Sequence, residues 1–310
     1  MRRSRLKQIS RSGRVCAVER AVVVGNCQAR ALELMLSTSE DFTKRFEFVC
    51  FPPVHEFPQE MVPELHDAVA DAAVVIPQRI DDAYRGGIGL GSDTLAGIAR
   101  TGAVVRWPSV YWAGYFPDLF YLRDAVHGPV LTGPFDYHDR SILQAYAAGL
   151  DVAAACALLE DPEVASDAQD WAAHATAELD VRGQDCDVQV ASFIGSRFRD
   201  ELLFFTMNHP TNQLLAFIAQ QIMDLLGLPG SVDATLMPGE VLGSTFYPLH
   251  ANHVRALDLR FGVEVGAGTT PFRIRGESYE PADAVNAFYS YYDAHAQLVE
   301  LNLEQAASSG

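Results

Sequence analysis

An α/β fold with a parallel sheet is what the sequence predicts, and two observations predict it. Between residues 20 and 107, short apolar runs rich in β-branched residues alternate with stretches of helical spacing. Strands separated by single helices form a parallel sheet with right-handed crossovers. The chain also has the means to bury such a sheet: 310 residues, 49% of them hydrophobic and 20% charged, are the proportions of a soluble globular protein with a full core.

The first strand is Ala21-Val22-Val23-Val24, broken by Gly25, and a helix follows to Leu36 with Ala31, Leu32, Met35 and Leu36 on one face. Residues 45–51 alternate as a second strand. A helix over 60–69 turns Met61, Leu65, Ala68 and Val69 inward. Residues 72–77 form a third buried strand stopped by Pro77, 94–99 a short helix, and 103–108 a fourth strand. The result is a Rossmann-like core whose ligand edge lies beyond the carboxyl ends of the strands.

The stretch 111–121 is rich in aromatics. Most of these rings read as core, whereas Tyr115 beside Gly114, and Asp118, are candidates to face a cleft. From 137 to 199 the pattern is helical, through Ile142, Leu143, Tyr146 and Ala147, then 152–159 and 167–177. No Pro/Gly/Ser-rich linker precedes it, so it reads as a helical segment lying on the sheet. A strand over 202–206 follows. The helix over 212–226 carries Leu214, Leu215, Phe217, Ile218, Ile222 and Leu225 on a broad apolar face, between Pro210 and Gly227. Residues 228–282 read as irregular, and a C-terminal helix from 282 to 303 presents Val285, Phe288, Tyr292 and Val299. The expected organisation is one α/β domain over 20–310 behind a basic, disordered tail over 1–19.

A net charge of −17 argues against nucleic acid as the main partner. The tail runs against this balance: Arg2, Arg3, Arg5, Lys7, Arg11 and Arg14 stand there with no acid among them. It lacks the apolar region of a secretory signal. No run of eighteen apolar residues predicts a membrane span. Five scattered cysteines without a CxxC pair predict no disulfide framework and a reducing, cytoplasmic location.

Cys27 sits where the first strand hands over to a helix. Unpaired N–H groups and the positive end of the helix dipole meet there, which favours a thiolate and supplies donors for an oxyanion. Gly25 would let a substrate approach the backbone. Asn26 and Gln28 add amide donors. The plain alternative is a small buried cysteine at a βα turn. The same rim would gather Gln78 and Arg79 after the third strand and Ser109 and Tyr111 after the fourth. His209 follows a later strand and precedes a helix, so it can reach this edge, and a Cys/His pair makes an activated nucleophile. Its alternative is a helix-start residue bonded to backbone.

The HxxH pair His250/His253 has no third ligand nearby, so no metal is expected. His138 belongs to a polar cluster at a helix start. The glycines of 86–91 lack a P-loop ending. They form either a surface loop or a flap that, with Arg79 and Arg85, approaches a phosphate. Arg197 and Arg199 are further phosphate candidates in so acidic a chain.

Gly25-Asn26-Cys27-Gln28 after the first strand, Pro108-Ser109 with Gly114-Tyr115 and Pro117-Asp118, Tyr137-His138-Asp139, and Asn208-His209-Pro210-Thr211 before a long helix resemble the WcbI family of polysaccharide-biosynthesis acetyltransferases, found with bacterial capsule genes. The resemblance spans about residues 20–250. It implies binding of coenzyme A and acetyl transfer to a sugar hydroxyl of a surface polysaccharide. It also implies a distant kinship with SGNH hydrolases, with Cys27 where those enzymes place serine. On this reading Cys27 is nucleophile or thioester-facing group, His209 the general base and Asn26 an oxyanion donor. Gly25, Gln28, Gln78, Arg79, Arg85, Ser109, Tyr115, Arg197 and Arg199 would line the acyl-CoA site. Two other readings stay open: an SGNH-like esterase that removes acyl groups from glycans, and a non-catalytic glycan-binding module. Neither the acceptor sugar nor the oligomeric state is legible.

Overall fold

The computed structural model describes residues 18–100, 102–123, 130–131, 133–165, 167–261, 270–296 and 299. Most of the basic tail therefore lies outside the described residues, as does the chain beyond 299. The predicted sheet is present: β1 (Glu19–Val24), β2 (Phe46–Phe48), β3 (Val74–Pro77) and β4 (Ala103–Val104) pair in parallel in the order β2-β1-β3-β4. In β1 two exposed residues are followed by four buried ones. This continuous apolar run is what a sheet covered on both faces demands. Alternate residues of β1 feed two separate cores. Ala21 and Val23 join Ile76 in the larger one, and Val22 and Val24 join Val75 in the smaller.

The crossovers fall where helical spacing put them. α1 (Cys27–Leu36) packs Leu32, Met35 and Leu36 on the first face. After α2 (Glu40–Arg45), α3 (Val62–Asp71) and α4 (Ser92–Ile98) cover the second through Leu65, Val69 and Leu95. β4 is shorter than the expected strand, although parallel pairing resumes past Val104 at Gln78 and Trp107. Beyond it Val105 N–H still donates to the Val75 carbonyl and Trp107 N–H to that of Pro77.

The helical segment comprises α5 (Arg140–Ala147), α6 (Val152–Leu158), α7 (Ala168–Gly183) and α8 (Ala191–Arg197). It joins the larger core through Ile142, Leu143, Leu179 and Ile194. α9 (Asn212–Leu225) lies against α1 with Leu214, Leu215, Ile218 and Ile222 buried. α10 (Ala251–Leu257) and α11 (Pro281–Ala294) complete the layer.

Three expectations change. The strand over 202–206 is Phe204–Thr206, and it pairs antiparallel with His209–Pro210 rather than joining the parallel sheet. The stretch 228–282 holds α10 and a three-stranded antiparallel sheet of Thr245–Phe246, Phe272–Ile274 and Glu277–Tyr279. Strands of two or three residues are too short to show a period, and the turn joining the last two uses Arg275 and Gly276 at φ 51° and 90°. Tyr115, expected at a cleft, is fully buried; its hydroxyl donates to the Phe198 and Glu201 carbonyls at 2.6 and 2.9 Å.

Candidate functional site

β1 ends at Val24 and α1 begins at Cys27, so Gly25 and Asn26 make the turn. The Asn26 side chain caps the helix by accepting from Gln28 N–H at 3.0 Å. That bond occupies Oδ1 with the helix's own N–H, so the donors of the same amide are not used by the cap. A Cβ on Gly25 would stand 3.0 Å from Gln78 Cβ and 3.2 Å from the Trp107 ring. The glycine is therefore needed for close packing by the protein's own side chains, a correction to the expectation that a substrate uses the space.

Gln28 and Gln78 likewise do not face a ligand. They are 0% and 2% exposed. Gln28 donates from Nε2 to the carbonyls of Val110 and Asn208 at 2.7 and 2.8 Å. Its Oε1 accepts from Val110 N–H at 3.1 Å and Gln78 Nε2 at 3.0 Å. Gln78 Oε1 in turn accepts the Asn26 N–H at 3.0 Å. One buried amide pair thus fastens four rim segments: the ends of β1 and β3, the loop after Trp107, and the Asn208–His209 turn. Amides suit this because each offers donors and an acceptor without a charge to desolvate.

The half-buried Cys27 thiol is raised above its ordinary value. Burial is the main cause, and nearby Glu56 adds to it; the N–H groups of Cys27 and Gln28 pull the other way. The expectation of easier ionisation is thereby overturned: the helix terminus is there, but desolvation outweighs it. Gln28, beside Cys27, donates to the Asn208 carbonyl, which brings that turn, with Tyr121 and Tyr137, to the start of α1. These tyrosines meet at Asn208, whose Oδ1 accepts from Tyr137 Oη at 2.6 Å and whose Nδ2 donates to Tyr121 Oη at 3.3 Å. The His209 ring stands edge-on to Tyr137, 6.4 Å between centroids. Its Nδ1 is buried without a partner. Burial lowers its pKa, partly opposed by Asp136, so the ring is neutral and free to accept a proton. Cys27 and His209 are thus linked through Gln28 and Asn208, and among the described residues no hydrogen bond joins the thiol to the imidazole. Sequence reasoning did not assign the two tyrosines or Asn208 to the site. The signal for Tyr137 and Asn208 was their place in the Tyr137-His138-Asp139 and Asn208-His209 motifs; Tyr121 had only its place at the end of the aromatic stretch.

The predicted phosphate arginines are dispersed. Arg79 pairs with Asp185 at 3.3 Å and Arg197 with Glu201 at 2.7 Å. Arg199 donates to the Leu257 carbonyl. Arg197 and Arg199 flank the end of α8, next to the buried Tyr115 and away from Cys27. Arg79 follows Gln78, which holds the Asn26 N–H, and Arg85 also approaches the thiol's turn. It donates to the carbonyls of Val54 and Phe57, and Val54 N–H donates to that of Gly25. Ser109 is half-buried in the loop that leads to Val110.

A second polar cluster lies in the helical layer. His250 Nε2 meets Asp139 Oδ2 at 2.8 Å, both nearly fully buried. Burial alone would raise Asp139; the hydrogen bond and charge of His250, with the Ile142 N–H and the Tyr247 hydroxyl, outweigh it and hold the carboxyl low. His253 lies 3.8 Å from Asp118. Burial, with the charge of His250, drives it down to about 3. His250 is thus bonded to one carboxylate, and His253 is a buried neutral ring beside another. His138 is buried among Phe120, Phe288, Tyr291 and Tyr292. Asp118 is pushed up to about 6, chiefly by burial and then by the charge of Asp139. A carboxyl raised on folding favours the fold below its unfolded value of 3.8 and loses that contribution as pH rises through about 6. Asp118→Asn keeps the Ser141 hydrogen bond and removes the charge. It should raise stability by about 1–2 kcal/mol at pH 7.5 and by close to nothing at about pH 3, read from urea unfolding at the two pH values; an equal shift at both would refute this account.

With the site's geometry described, comparison with known proteins adds three findings. A family model described as "Polysaccharide biosynthesis enzyme WcbI" matches residues 20–231. No curated protein matches the chain. A solved structure of WcbI, described as a novel polysaccharide biosynthesis enzyme in native form without a disulfide bond between coenzyme A and one of its cysteines, superposes with a TM-score of 0.75 at 23% identity. The superposition covers 93% of this chain and 99% of that one.

Proposed function

The chain belongs to the WcbI family of polysaccharide biosynthesis enzymes, and from that premise we propose that it transfers an acetyl group from acetyl-coenzyme A to a sugar hydroxyl of a bacterial surface polysaccharide. The observation that carries the reading is the arrangement at the start of α1: a half-buried thiol beside Gln28, which bonds the Asn208–His209 turn, and on that turn a neutral imidazole whose buried Nδ1 has no partner. The mention of coenzyme A beside a cysteine in the solved WcbI structure supports the choice of donor.

The residues fit a thioester. The Asn26 amide donors not used by the cap and the first N–H groups of α1 can receive the oxygen of a thioester carbonyl as negative charge develops on it. The acceptor's O–H gives its proton to His209 as its oxygen bonds to the carbonyl carbon. The C–S bond then breaks, and the departing thiolate takes the proton back from His209, leaving an acetyl ester and free coenzyme A. Because burial keeps Cys27 protonated, its best-supported role is to face the thioester rather than attack it. The attacking route would need His209 to deprotonate Cys27 first. Arg85, joined through Val54 to the turn before Cys27, is our candidate for the donor's phosphates, for which it would exchange its carbonyl contacts.

Calorimetric titration with coenzyme A and acetyl-coenzyme A tests the donor. The expected result is saturable binding in the micromolar range, about −8 kcal/mol, weakened in Arg85→Ala. No heat with either ligand would remove the donor and leave the esterase reading, checked by hydrolysis of a chromogenic acetyl ester without coenzyme A. The SGNH-like alternative is supported by the position of Cys27 just after the first strand.

A further inference from the structure

We propose that the groove between α7 and the loop at Tyr111 binds an uncharged sugar and is where the polysaccharide acceptor enters. This rests on the transferase reading and extends it by naming the acceptor's seat. The groove has a volume of about 510 Å³, with Tyr111, His174, Glu178, Val181 and Arg182 in its walls.

Its inner wall is rigid. The Tyr111 hydroxyl donates to Met207 Sδ at 2.9 Å, and the Arg182 guanidinium lies 5.4 Å from the ring centroid. Arg182 also donates to the Tyr111 carbonyl at 2.7 Å and from Nε to the Glu178 carbonyl at 3.3 Å. Its outer wall is open and mixed. Glu178 and His174 face each other at 3.5 Å with more than half of each side chain in solvent. Val181 is 62% exposed, and Trp171, 37% exposed, lies 5.9 Å from His174. Fixed aromatic surface with a few convergent polar groups is the general form of a small-molecule site. Here the C–H face of a pyranose can rest on ring and aliphatic surface, and neighbouring hydroxyls can bridge the carboxylate and the imidazole. A polyanionic donor fits poorly: the guanidinium is tied to carbonyls and a carboxylate stands beside it.

The groove also adjoins the reacting rim. Met207 precedes Asn208 and His209, and Tyr111 follows Val110, which holds Gln28 beside Cys27. Tyr111 donates to the sulfur of Met207, and Asn208, the next residue, holds Tyr121. A sugar seated against Tyr111 is thus beside the turn that carries Asn208 and His209.

The test uses the full chain and saturation-transfer NMR with the methyl α-glycosides of glucose, galactose and mannose. Wild type should transfer saturation to at least one of them. Glu178→Ala and Val181→Arg, both at exposed positions, should each cut the signal about tenfold, the effect of removing a charged hydrogen-bonding group or filling the groove. Coenzyme A titrations of the same variants should be unchanged. No transfer in wild type, equal transfer in the variants, or a parallel loss of coenzyme A affinity would each overturn the proposal. Sugar binding that the variants abolish, in a chain that never binds coenzyme A, would uphold the groove and end the transferase reading instead.

Discussion

His209→Ala should lower acetyl transfer by about two to four orders of magnitude, the usual effect of removing a general base. The measurement is thiol release from acetyl-coenzyme A with and without added glycan. Burial holds the imidazole below its ordinary 6.5, so the rate should climb as pH rises through that lowered value and be flat by neutrality. The thiol gives a second marker. If Cys27 must ionise to act, the rate should rise again above about pH 9, because burial places its ionisation beyond the ordinary 9.0. If it only faces the thioester, the plateau continues, Cys27→Ala retains most of the rate, and mass spectrometry finds no acetyl group on the enzyme. A His209→Ala variant with full activity would remove the base assignment whichever route holds.

Gln28→Ala should be the most destabilising single change at the site. It deletes four hydrogen bonds inside the protein and strands the Val110 and Asn208 carbonyls and the Val110 N–H. At about 1–3 kcal/mol for each buried group left unpaired, with part regained by relaxation, a loss of about 4 kcal/mol is expected. For a chain of this length that lowers the melting temperature by roughly 8 °C. Gln28→Glu should be no better despite its identical shape, because it sets a buried carboxylate against two carbonyl oxygens. Thermal unfolding followed by circular dichroism reads both. A shift under about 1 °C in either variant, within the range of ordinary surface substitutions, would mean the amide does not fasten the rim.

The parallel sheet was legible because every signal for it is local. Val22 to Val24 and Val74 to Ile76 are uninterrupted apolar runs, and Gly25 and Pro77 stand at their ends. The position of Cys27 at a strand-to-helix turn follows from the same pattern. Its ionisation was not legible, since desolvation depends on what the rest of the chain packs over the thiol. The arginines misled for a related reason. A cation in an acidic chain looks free, but Arg197 has Glu201 four residues away and Arg79 has Asp185 more than a hundred residues along. The second pairing leaves no trace in spacing. Gln28 looked like a ligand donor because amides at a rim usually are; that three loops converge on it is a property of the tertiary structure alone. Tyr115 was misread because the aromatic stretch from 111 to 121 has no period to tell its buried rings from its exposed ones.

The buried pairing of Asp139 with His250 bears on where this protein can be divided. The family match ends at residue 231, which invites an expression boundary there. A fragment cut at that point would keep Asp139, 0% exposed at the start of α5, and lose both His250 and the Tyr247 hydroxyl that satisfy it. It would also strip Phe272, Phe288 and Tyr292 from the larger core. A stranded buried carboxylate costs several kcal/mol, a large part of the margin by which a domain is folded at all. The larger core therefore runs past the end of the recognisable motif, and residues beyond 231 help to close it.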